Sequence, residues 1–195
     1  GSVANAKLAS PLTGKLHVKT ADSGATADGG ADELVLEGSG NTGMSILSGA
    51  SSSGSIYFGD SGSAYDGWIN YSQTDRKLNF ATAVGTRMVI DASGNVGIAK
   101  GTLTTWGSGY NALQITGRGF IGGHSSSDLY IGQGASNNSG WKYEASSEAV
   151  SMTQHSGGKI SHMVAPTGTA GNAISWFKTT DIFNSGRCQH FSNLS

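Results

Sequence analysis

The stretch from Thr86 to Ile98, Thr-Arg-Met-Val-Ile-Asp-Ala-Ser-Gly-Asn-Val-Gly-Ile, decides the fold that the sequence predicts. Met88 and Ile90 alternate with residues of the opposite face, which is the period of a half-buried strand, and the alternation resumes after the turn. Asp91 can accept hydrogen bonds from the turn backbone, and Gly94 can take the positive φ that a type I turn with a bulge requires. The stretch therefore predicts a strand, a tight turn and a second strand.

Similar short segments, separated by Gly, Ser and Asn turns, continue on both sides of this hairpin. A spacing of about ten residues between them is typical of an all-β protein. No window shows a convincing helical period. The predicted strands are Leu16–Lys19, Glu33–Glu37, Met44–Leu47, Ser55–Phe58, Trp68–Tyr71, Lys77–Ala81, Thr86–Asp91 and Val96–Ile98.

The composition supplies little apolar side chain for a core. The 195 residues include 36 Leu, Ile, Val and Phe, against 31 Gly and 29 Ser. Such a chain buries too little apolar surface to offset its conformational entropy alone, so we expect an obligate oligomer. The net charge of −1 argues against a nucleic-acid partner, and no apolar run is long enough for membrane insertion. The single cysteine, Cys188, cannot build a disulfide framework within one chain.

An internal similarity predicts two tandem related β-units. Ile56-Tyr57-Phe58-Gly59 followed by Trp68 aligns with Leu129-Tyr130-Ile131-Gly132 followed by Trp141. The predicted organisation is an N-terminal segment or linker (1–32), a first, shaft-like β-unit (33–99), a connector (100–111), a second β-unit (112–165) and a C-terminal tail (166–195), which is expected to be part of a distal tip.

The stretch Thr86–Ile98 also resembles a line that recurs in bacteriophage tail-fibre and tailspike proteins, ahead of a C-terminal self-cleaving intramolecular chaperone. A looser likeness covers residues 33–98. The resemblance implies a homotrimeric, intertwined β-fibre or β-prism of short strands, assembled in the host cytoplasm and located in the virion. Its expected partners are other tail proteins and a host cell-surface polysaccharide or lipopolysaccharide.

The same resemblance bears on the end of the chain. In that family the chaperone assembles three chains and then severs itself, commonly just after a serine, so Ser195 is expected to be a processed end. The catalytic residues of that cleavage belong to the chaperone, and we therefore predict no enzyme activity and no cofactor for this chain. An end chosen for expression is the alternative.

A receptor site for a glycan needs aromatic faces beside amides and hydroxyls, because sugars present CH faces with hydroxyl rims. Trp68 and Trp141 are duplicated, so we interpret them as structural anchors. The remaining candidates are Trp106, Tyr110, Asn137, Asn138, Lys142, Tyr143 and Trp176. Ordinary core or interface packing is the alternative for these aromatics. For the whole chain, the alternatives to host adhesion are a purely structural shaft segment and a glycan depolymerase.

Three further patterns have simpler interpretations. Gly38–Gly43 and Gly117–Gly122 match G-x-G-x-x-G, but a dinucleotide fingerprint must open a helix, so we interpret both as turns. His190 is a weak metal candidate, since one residue per chain can build a three-ligand site on a threefold axis. The carboxylates that glycoside hydrolysis would use are most simply turn residues; they are Asp60, Asp66, Asp75, Glu144 and Glu148.

Overall fold

The computed structural model describes residues 15–191, and half of the chain is β-strand. No helix occurs within this range, so the predicted all-β class is confirmed. The chain divides into two compact units between Leu47 and Ser48. Ser195, the predicted processed end, lies outside the described residues.

The first unit is built on two parallel strands, β1 (Leu16–Lys19) and β2 (Leu34–Glu37). Glu37 is buried at the end of β2. It accepts hydrogen bonds from the Ser23 N–H at 2.9 Å and hydroxyl at 3.0 Å, and its other neighbours are His17 Nε2 at 2.7 Å and the Lys19 ammonium at 3.0 Å. The Ser23 N–H, followed by the Lys19 ammonium, lowers the pKa of Glu37 to about 2. The loop 20–33 is thereby tied to the strand pair.

The second unit contains the remaining fourteen strands. They are β3 (Ser53–Phe58), β4 (Gly67–Ser72), β5 (Lys77–Thr82), β6 (Gly85–Ile90), β7 (Val96–Ile98), β8 (Tyr110–Ile115), β9 (Gly119–His124), β10 (Asp128–Gln133), β11 (Ala135–Asn137), β12 (Trp141–Tyr143), β13 (Glu148–Ser156), β14 (Lys159–Gly168), β15 (Phe177–Phe183) and β16 (Cys188–His190).

Twelve of these strands form one open sheet whose order follows the chain. The order is β3 to β10 and then β13 to β16, and every strand pairs with its neighbours in that sequence. All pairs are antiparallel except β7–β8, which is parallel and is joined by the crossover 99–109. Strands β11 and β12 leave the sheet as a separate hairpin.

The hairpin predicted at Thr86–Ile98 is present as β6, a turn and β7. Asp91 Oδ1 accepts hydrogen bonds from the N–H groups of Ser93 and Asn95, both at 2.9 Å, and Gly94 has a φ of +84°. The Asn95 side chain is almost fully buried and accepts a hydrogen bond from the Ala112 N–H at 2.9 Å. The turn therefore also fastens the hairpin to β8.

From β8 to β14, one face of the sheet is covered by the chain itself. Phe120, Tyr130, Met152 and Met163 lie on this covered face and are at most 5% exposed. The cover, called here the covering layer, consists of the crossover 99–109, the β11–β12 hairpin and residues 169–176. Its aromatic residues Trp106, Trp141 and Trp176 pack against the covered face and against one another. This aromatic layer is the core of the second unit.

Glycines in the sheet make room for these rings. A Cβ at Gly132 would lie 2.6 Å from the Ser151 carbonyl oxygen and 2.9 Å from Phe120 Cζ, and one at Gly122 would lie 3.1 Å from the Trp106 ring. Gly119 and Gly122 are strand residues of β9. In the second G-x-G-x-x-G match, the interpretation as a turn therefore holds only for Gly117, which has a φ of +58°.

The opposite face of the sheet, called here the apolar face, carries continuous rows of apolar side chains, because directly paired residues point to the same side. One row crosses β3 to β8 through Ile56, Ile69, Phe80, Met88, Ile98 and Ile115. A second crosses β4 to β10 through Tyr71, Leu78, Ile90, Val96, Leu113, Ile121 and Ile131. Nothing in the described second unit covers these rows, and Ile131 remains 45% exposed.

The predicted strands of the first half are present within two residues at each end, except Met44–Leu47, which is not a strand. Met44 and Leu47 are instead exposed, the latter by 92%. The two aligned stretches differ in their strand partners. Trp68 lies in β4 of the large sheet, whereas Trp141 lies in the separate hairpin, and the edge strand β3 aligns with the central strand β10. The expectation of two equivalent β-units is therefore wrong at the level of strand pairing.

The predicted domain boundaries do not all coincide with the ends of strands. The connector 100–111 contains most of the crossover and the start of β8. The boundary predicted between 165 and 166 lies inside β14, so the predicted second unit and tail are continuous in the sheet.

Candidate functional site

A pocket of about 480 Å³ lies in the covering layer of the second unit, and we call it the polar pocket. The crossover supplies Lys100, Thr104 and Thr105, and the β8–β9 turn supplies Gly117 and Arg118. The β11–β12 hairpin and Glu144 after it supply most of the remaining wall, with Ser136, Asn138, Lys142 and Tyr143, and Gly171 completes it. This volume is in the range of small-molecule sites.

A largely buried ion pair lies in this pocket. Lys100 Nζ is 3.3 Å from Glu144 Oε2, and the two side chains are only 12% and 6% exposed. Lys100 also donates a hydrogen bond to Thr104 Oγ1 at 3.3 Å. Each buried charge thus has a partner, which is the condition for keeping ionised groups away from water.

Two other cations line the same pocket. Arg118 forms an ion pair with Glu148, and both side chains are partly exposed. Lys142 is half-buried, and within residues 15–191 it has no carboxylate partner. The pocket therefore carries a positive charge that its own carboxylate does not neutralise.

The crossover is held in place by a side chain of β8. Gln114 is 1% exposed, accepts a hydrogen bond from the Thr104 N–H at 2.8 Å and donates one to the Thr104 carbonyl oxygen at 2.9 Å. The Gln114 amide takes the place of a paired strand, because it bonds both the N–H and the carbonyl oxygen of Thr104. Lys100 and Thr104 are positioned in the pocket by this bracket.

The β11–β12 hairpin is fixed at both ends. The Asn137 side chain accepts a hydrogen bond from the Gly140 N–H at 3.3 Å within the turn. Lys142 forms a β-bridge with Ala173, and the Tyr143 hydroxyl donates to the Pro166 carbonyl oxygen at 2.9 Å. The pocket wall is consequently anchored both to the rest of the covering layer and to β14.

The structure brings three of the seven predicted glycan-binding residues together in the polar pocket: Asn138, Lys142 and Tyr143. Asn138 is exposed at the rim, whereas Tyr143 is 7% exposed and presents only part of its ring. The polar loop that the sequence singled out is thus part of a concave site, together with cations of the crossover and of the β8–β9 turn that the sequence did not associate with it.

The other four predicted residues are held in or beside the aromatic core. Trp106 and Asn137 are buried, at 6% and 7% exposure. Tyr110 is half-buried with its ring 4.3 Å from that of His124, and Trp176 is half-buried edge-on to Trp141. Trp106 therefore has the position of a core aromatic residue, which was the alternative interpretation. In a single chain its ring is too buried to contact a ligand.

His190 lies exposed on β16, at the edge of the sheet. Its Nδ1 is 3.2 Å from Thr180 Oγ1 and its Nε2 is 3.7 Å from Cys188 Sγ. Among residues 15–191, no three His, Cys, Asp or Glu side chains gather in a group that could hold a metal ion. Within residues 15–191, His190 therefore has Cys188 beside it but lacks the third ligand that a metal group needs.

Four of the five carboxylates considered for glycoside hydrolysis have local partners for their side chains. Asp60 accepts hydrogen bonds from the N–H groups of Gly62 at 2.7 Å and Ser63 at 3.1 Å, and these bonds lower its pKa. A general acid needs a raised pKa, so this shift has the wrong direction for that role. Glu144 and Glu148 pair with cations, and Asp75 interacts with Ser72.

A hydroxyl, imidazole and carboxylate that the sequence did not single out meet at the β9–β10 hairpin. The Ser126 hydroxyl contacts His124 Nδ1 and donates to Asp128 Oδ2 at 3.2 Å. The carboxylate thus holds the serine rather than the imidazole, unlike a nucleophilic triad, where it orients the histidine. Tyr130 also donates to Asp128 at 2.9 Å, and burial raises the pKa of Tyr130.

The sequence also did not predict a row of exposed aromatic rings at β3 and β4, where the side of the sheet that carries the core has no cover in the described second unit. Tyr57 and Tyr65 are 60% and 53% exposed, and their ring centroids are 6.3 Å apart. Tyr65 is in turn 6.4 Å from Trp68, so Trp68 belongs to a surface row rather than to a buried core. Only the strand register places Tyr57 opposite Trp68, which explains why composition alone did not reveal the row.

No helix long and apolar enough to cross a membrane occurs in the part of the chain that the structure describes. Comparison of the chain with protein-family models, with curated proteins and with solved structures finds no match.

Proposed function

We propose that this chain is part of a homotrimeric bacteriophage tail fibre or tailspike that binds a polysaccharide or lipopolysaccharide of the host cell surface. The apolar face, whose rows run across β3 to β10 and which has no cover in the described second unit, is the observation that carries the proposal. The resemblance of Thr86–Ile98 to fibre proteins supports the class of assembly and a location in the virion.

An uncovered apolar face of this extent has a physical cost. Removing apolar surface from water contributes about 25 cal/mol per Å². Large exposed apolar patches accordingly mark interaction surfaces in soluble proteins. Three copies with their apolar faces turned toward a common axis would bury the rows led by Ile56 and Tyr71, which one chain leaves in water.

The polar pocket supports the receptor-binding part of the proposal. Its lining residues Lys100, Asn138 and Lys142 belong to the covering layer, on the side of the sheet away from the apolar face. Burial of the apolar face in an assembly would leave the pocket open to solvent. One side of the sheet would therefore serve assembly and the other side recognition.

Sedimentation equilibrium of the purified chain tests the assembly. We expect a single species of three chains at micromolar concentration, with no folded monomer, because subunit dissociation and unfolding are coupled. A stable folded monomer would contradict the proposal. A stable dimer would retain burial of the apolar face but exclude the trimer.

An array of bacterial surface glycans tests recognition. We expect the assembled protein to bind at least one saccharide, and Asn138→Trp to abolish that binding by filling the pocket rim. Thr74→Trp is the matched control, because Thr74 is also exposed but lies in the β4–β5 turn. Equal binding by both variants would move the receptor site away from the polar pocket.

The alternative of a purely structural shaft segment shares the apolar face and differs only in recognition. An assembled trimer that binds no glycan on the array would favour it. A glycan depolymerase has no supporting observation of this kind, since Asp60, Glu144 and Glu148 are engaged with turn N–H groups or cations. Release of reducing ends from a bound polysaccharide would nevertheless identify one.

A further inference from the structure

We propose that the polar pocket selects an acidic saccharide, one that carries a carboxylate or a phosphate on its sugar ring. This inference rests on the proposed function, because it names the class of glycan that the same site would take.

The first argument is the charge of the lining. Lys100, Arg118 and Lys142 face a single lining carboxylate, that of Glu144. The buried pairing at 3.3 Å assigns Glu144 to Lys100. Positive charge is left at Lys142 and at Arg118, whose own partner Glu148 is 46% exposed and stands outside the lining. An anionic group on the ligand supplies the missing partner.

The second argument is the arrangement of these cations. Arg118 comes from the β8–β9 turn and Lys142 from β12, two separate elements that meet at the pocket. An arginine fork can bind a carboxylate or phosphate through two parallel hydrogen bonds, and a lysine adds a point charge. Arg118 can turn from its partly exposed pair with Glu148 toward a ligand, because exposed ion pairs contribute little stability.

The third argument is that the rest of the pocket suits sugar hydroxyls rather than a bare ion. Ser136, Thr104 and Thr105 supply hydroxyl groups, and Asn138 supplies an amide at the rim. Glu144 is paired with Lys100 through Oε2 and can accept a hydrogen bond from a sugar hydroxyl with its second oxygen. A volume of about 480 Å³ is also larger than a free phosphate needs. The combination fits a sugar ring bearing one acidic substituent.

The test is an NMR titration of the assembled protein with matched monosaccharides: glucuronic acid and glucose 6-phosphate against glucose. We expect both acidic sugars to shift the amide signals of Lys142 and Asn138 and to bind at least about tenfold more tightly than glucose, the size of one charge-assisted hydrogen bond. Added salt should weaken the acidic sugars and leave glucose unchanged.

Paired variants assign the effect to the pocket. Lys142→Gln should weaken the acidic sugars about tenfold without altering glucose, and Arg118→Gln should do the same. Lys77→Gln is the matched control, because Lys77 lies on β5, outside the pocket, and has no carboxylate partner among residues 15–191. An equal loss in Lys77→Gln would overturn the assignment.

The outcomes separate this inference from the proposed function. If glucose and the acidic sugars bind the pocket equally, the acidic selectivity is refuted and glycan binding stands. If only the acidic sugars bind, both stand. If no sugar shifts any pocket residue while the glycan array is positive, the inference is refuted and the receptor site lies elsewhere. If the array is also negative, recognition itself is refuted.

Discussion

Asn95 shows how one side chain can decide where two strands meet. Its amide donates to Asp91 Oδ2 at 3.0 Å, and its oxygen accepts the Ala112 N–H at 2.9 Å, with the side chain 2% exposed. The sequence predicted that Asp91 and Gly94 would form the turn. It did not predict this contact, because Ala112 is distant in the chain and only the folded sheet brings it to the turn.

Replacing Asn95 by Ala should therefore lower the free energy of unfolding by about 1–3 kcal/mol, because the Ala112 N–H is left buried without a partner. Asn111→Ala is the control: Asn111 is exposed and donates only to the Ser93 carbonyl oxygen at 2.8 Å. Urea denaturation of both variants measures the difference. Equal losses would show that burial of the Asn95 contact has no special weight.

Gly132 illustrates the role of glycine under the aromatic layer. Gly132→Ala should destabilise the protein by about 1–3 kcal/mol, since its Cβ would lie 2.7 Å from Met152 Cβ as well as against the Phe120 ring. Gly123→Ala, on the neighbouring strand, is the control, because the nearest atom to its Cβ is 3.8 Å away. Thermal unfolding compares the two, and an equal shift in midpoint would contradict the steric argument.

At the scale of the element, the sequence identified strands better than their partners. Ser55–Phe58, Trp68–Tyr71 and Lys77–Ala81 were predicted within two residues, because alternation is a local property of the chain. The parallel β7–β8 pair and the detached β11–β12 hairpin were not predicted, since they depend on the crossover and on the packing of Trp106 and Trp141.

The same limit explains the candidate site. The polar loop around Asn138 and Lys142 was found from its composition. Lys100 joins it because Gln114 brackets the crossover, and Arg118 joins it from the β8–β9 turn, so that both positions depend on the folded sheet. Trp106 was predicted to be a surface aromatic residue because it has no duplicate. In a chain with few apolar side chains, however, a large aromatic side chain is also a natural core residue, and Trp106 is buried.

The edge formed by β14, β15 and β16 should respond to acid. Asp181 of β15 is buried, and the nearby Ser161 hydroxyl, followed by the Lys159 and Lys178 ammonium groups, lowers its pKa. A lowered pKa in the folded state contributes stability above the unfolded value of about 3.9, and this contribution is lost as the pH falls through the folded value.

Asp181→Asn should consequently remove part of the loss of stability below about pH 4. Denaturant unfolding at a series of pH values measures the slope in the native protein and in the variant. Asp75→Asn is the control, since Asp75 is exposed in a turn and has no ion pair among the described residues. An unchanged slope in Asp181→Asn would show that other groups dominate the acid response.

At the scale of the whole molecule, the two faces of the sheet differ in what covers them. The core side is closed by Trp106, Trp141 and Trp176, and the apolar face has no cover within the described second unit. Low apolar content alone predicted an oligomer. Only the strand register showed that the missing burial is concentrated on one continuous surface.

A charge on the apolar face should therefore prevent assembly. Ile121→Lys places an ammonium group in the second apolar row, where a partner copy would bury it without a counter-ion. Asn79→Lys, on the opposite face of β5, is the control. Sedimentation velocity should show dissociated or aggregated chains for Ile121→Lys and an intact trimer for Asn79→Lys. An intact trimer for both would exclude the apolar face as the interface.

The agreement between strand order and chain order has a mechanical consequence. When the two ends of the chain are pulled apart, the strands of each antiparallel hairpin separate from one end, and their hydrogen bonds break one pair at a time. The β7–β8 pair is parallel and joined by a crossover, and so it alone in the large sheet is loaded in shear, with its hydrogen bonds sharing the force. On either side of the β7–β8 pair, a single chain therefore offers little resistance to the separation of its antiparallel strands. In the proposed trimer, contacts of neighbouring copies with the rows of Ile56 and Tyr71 would add resistance to such a pull.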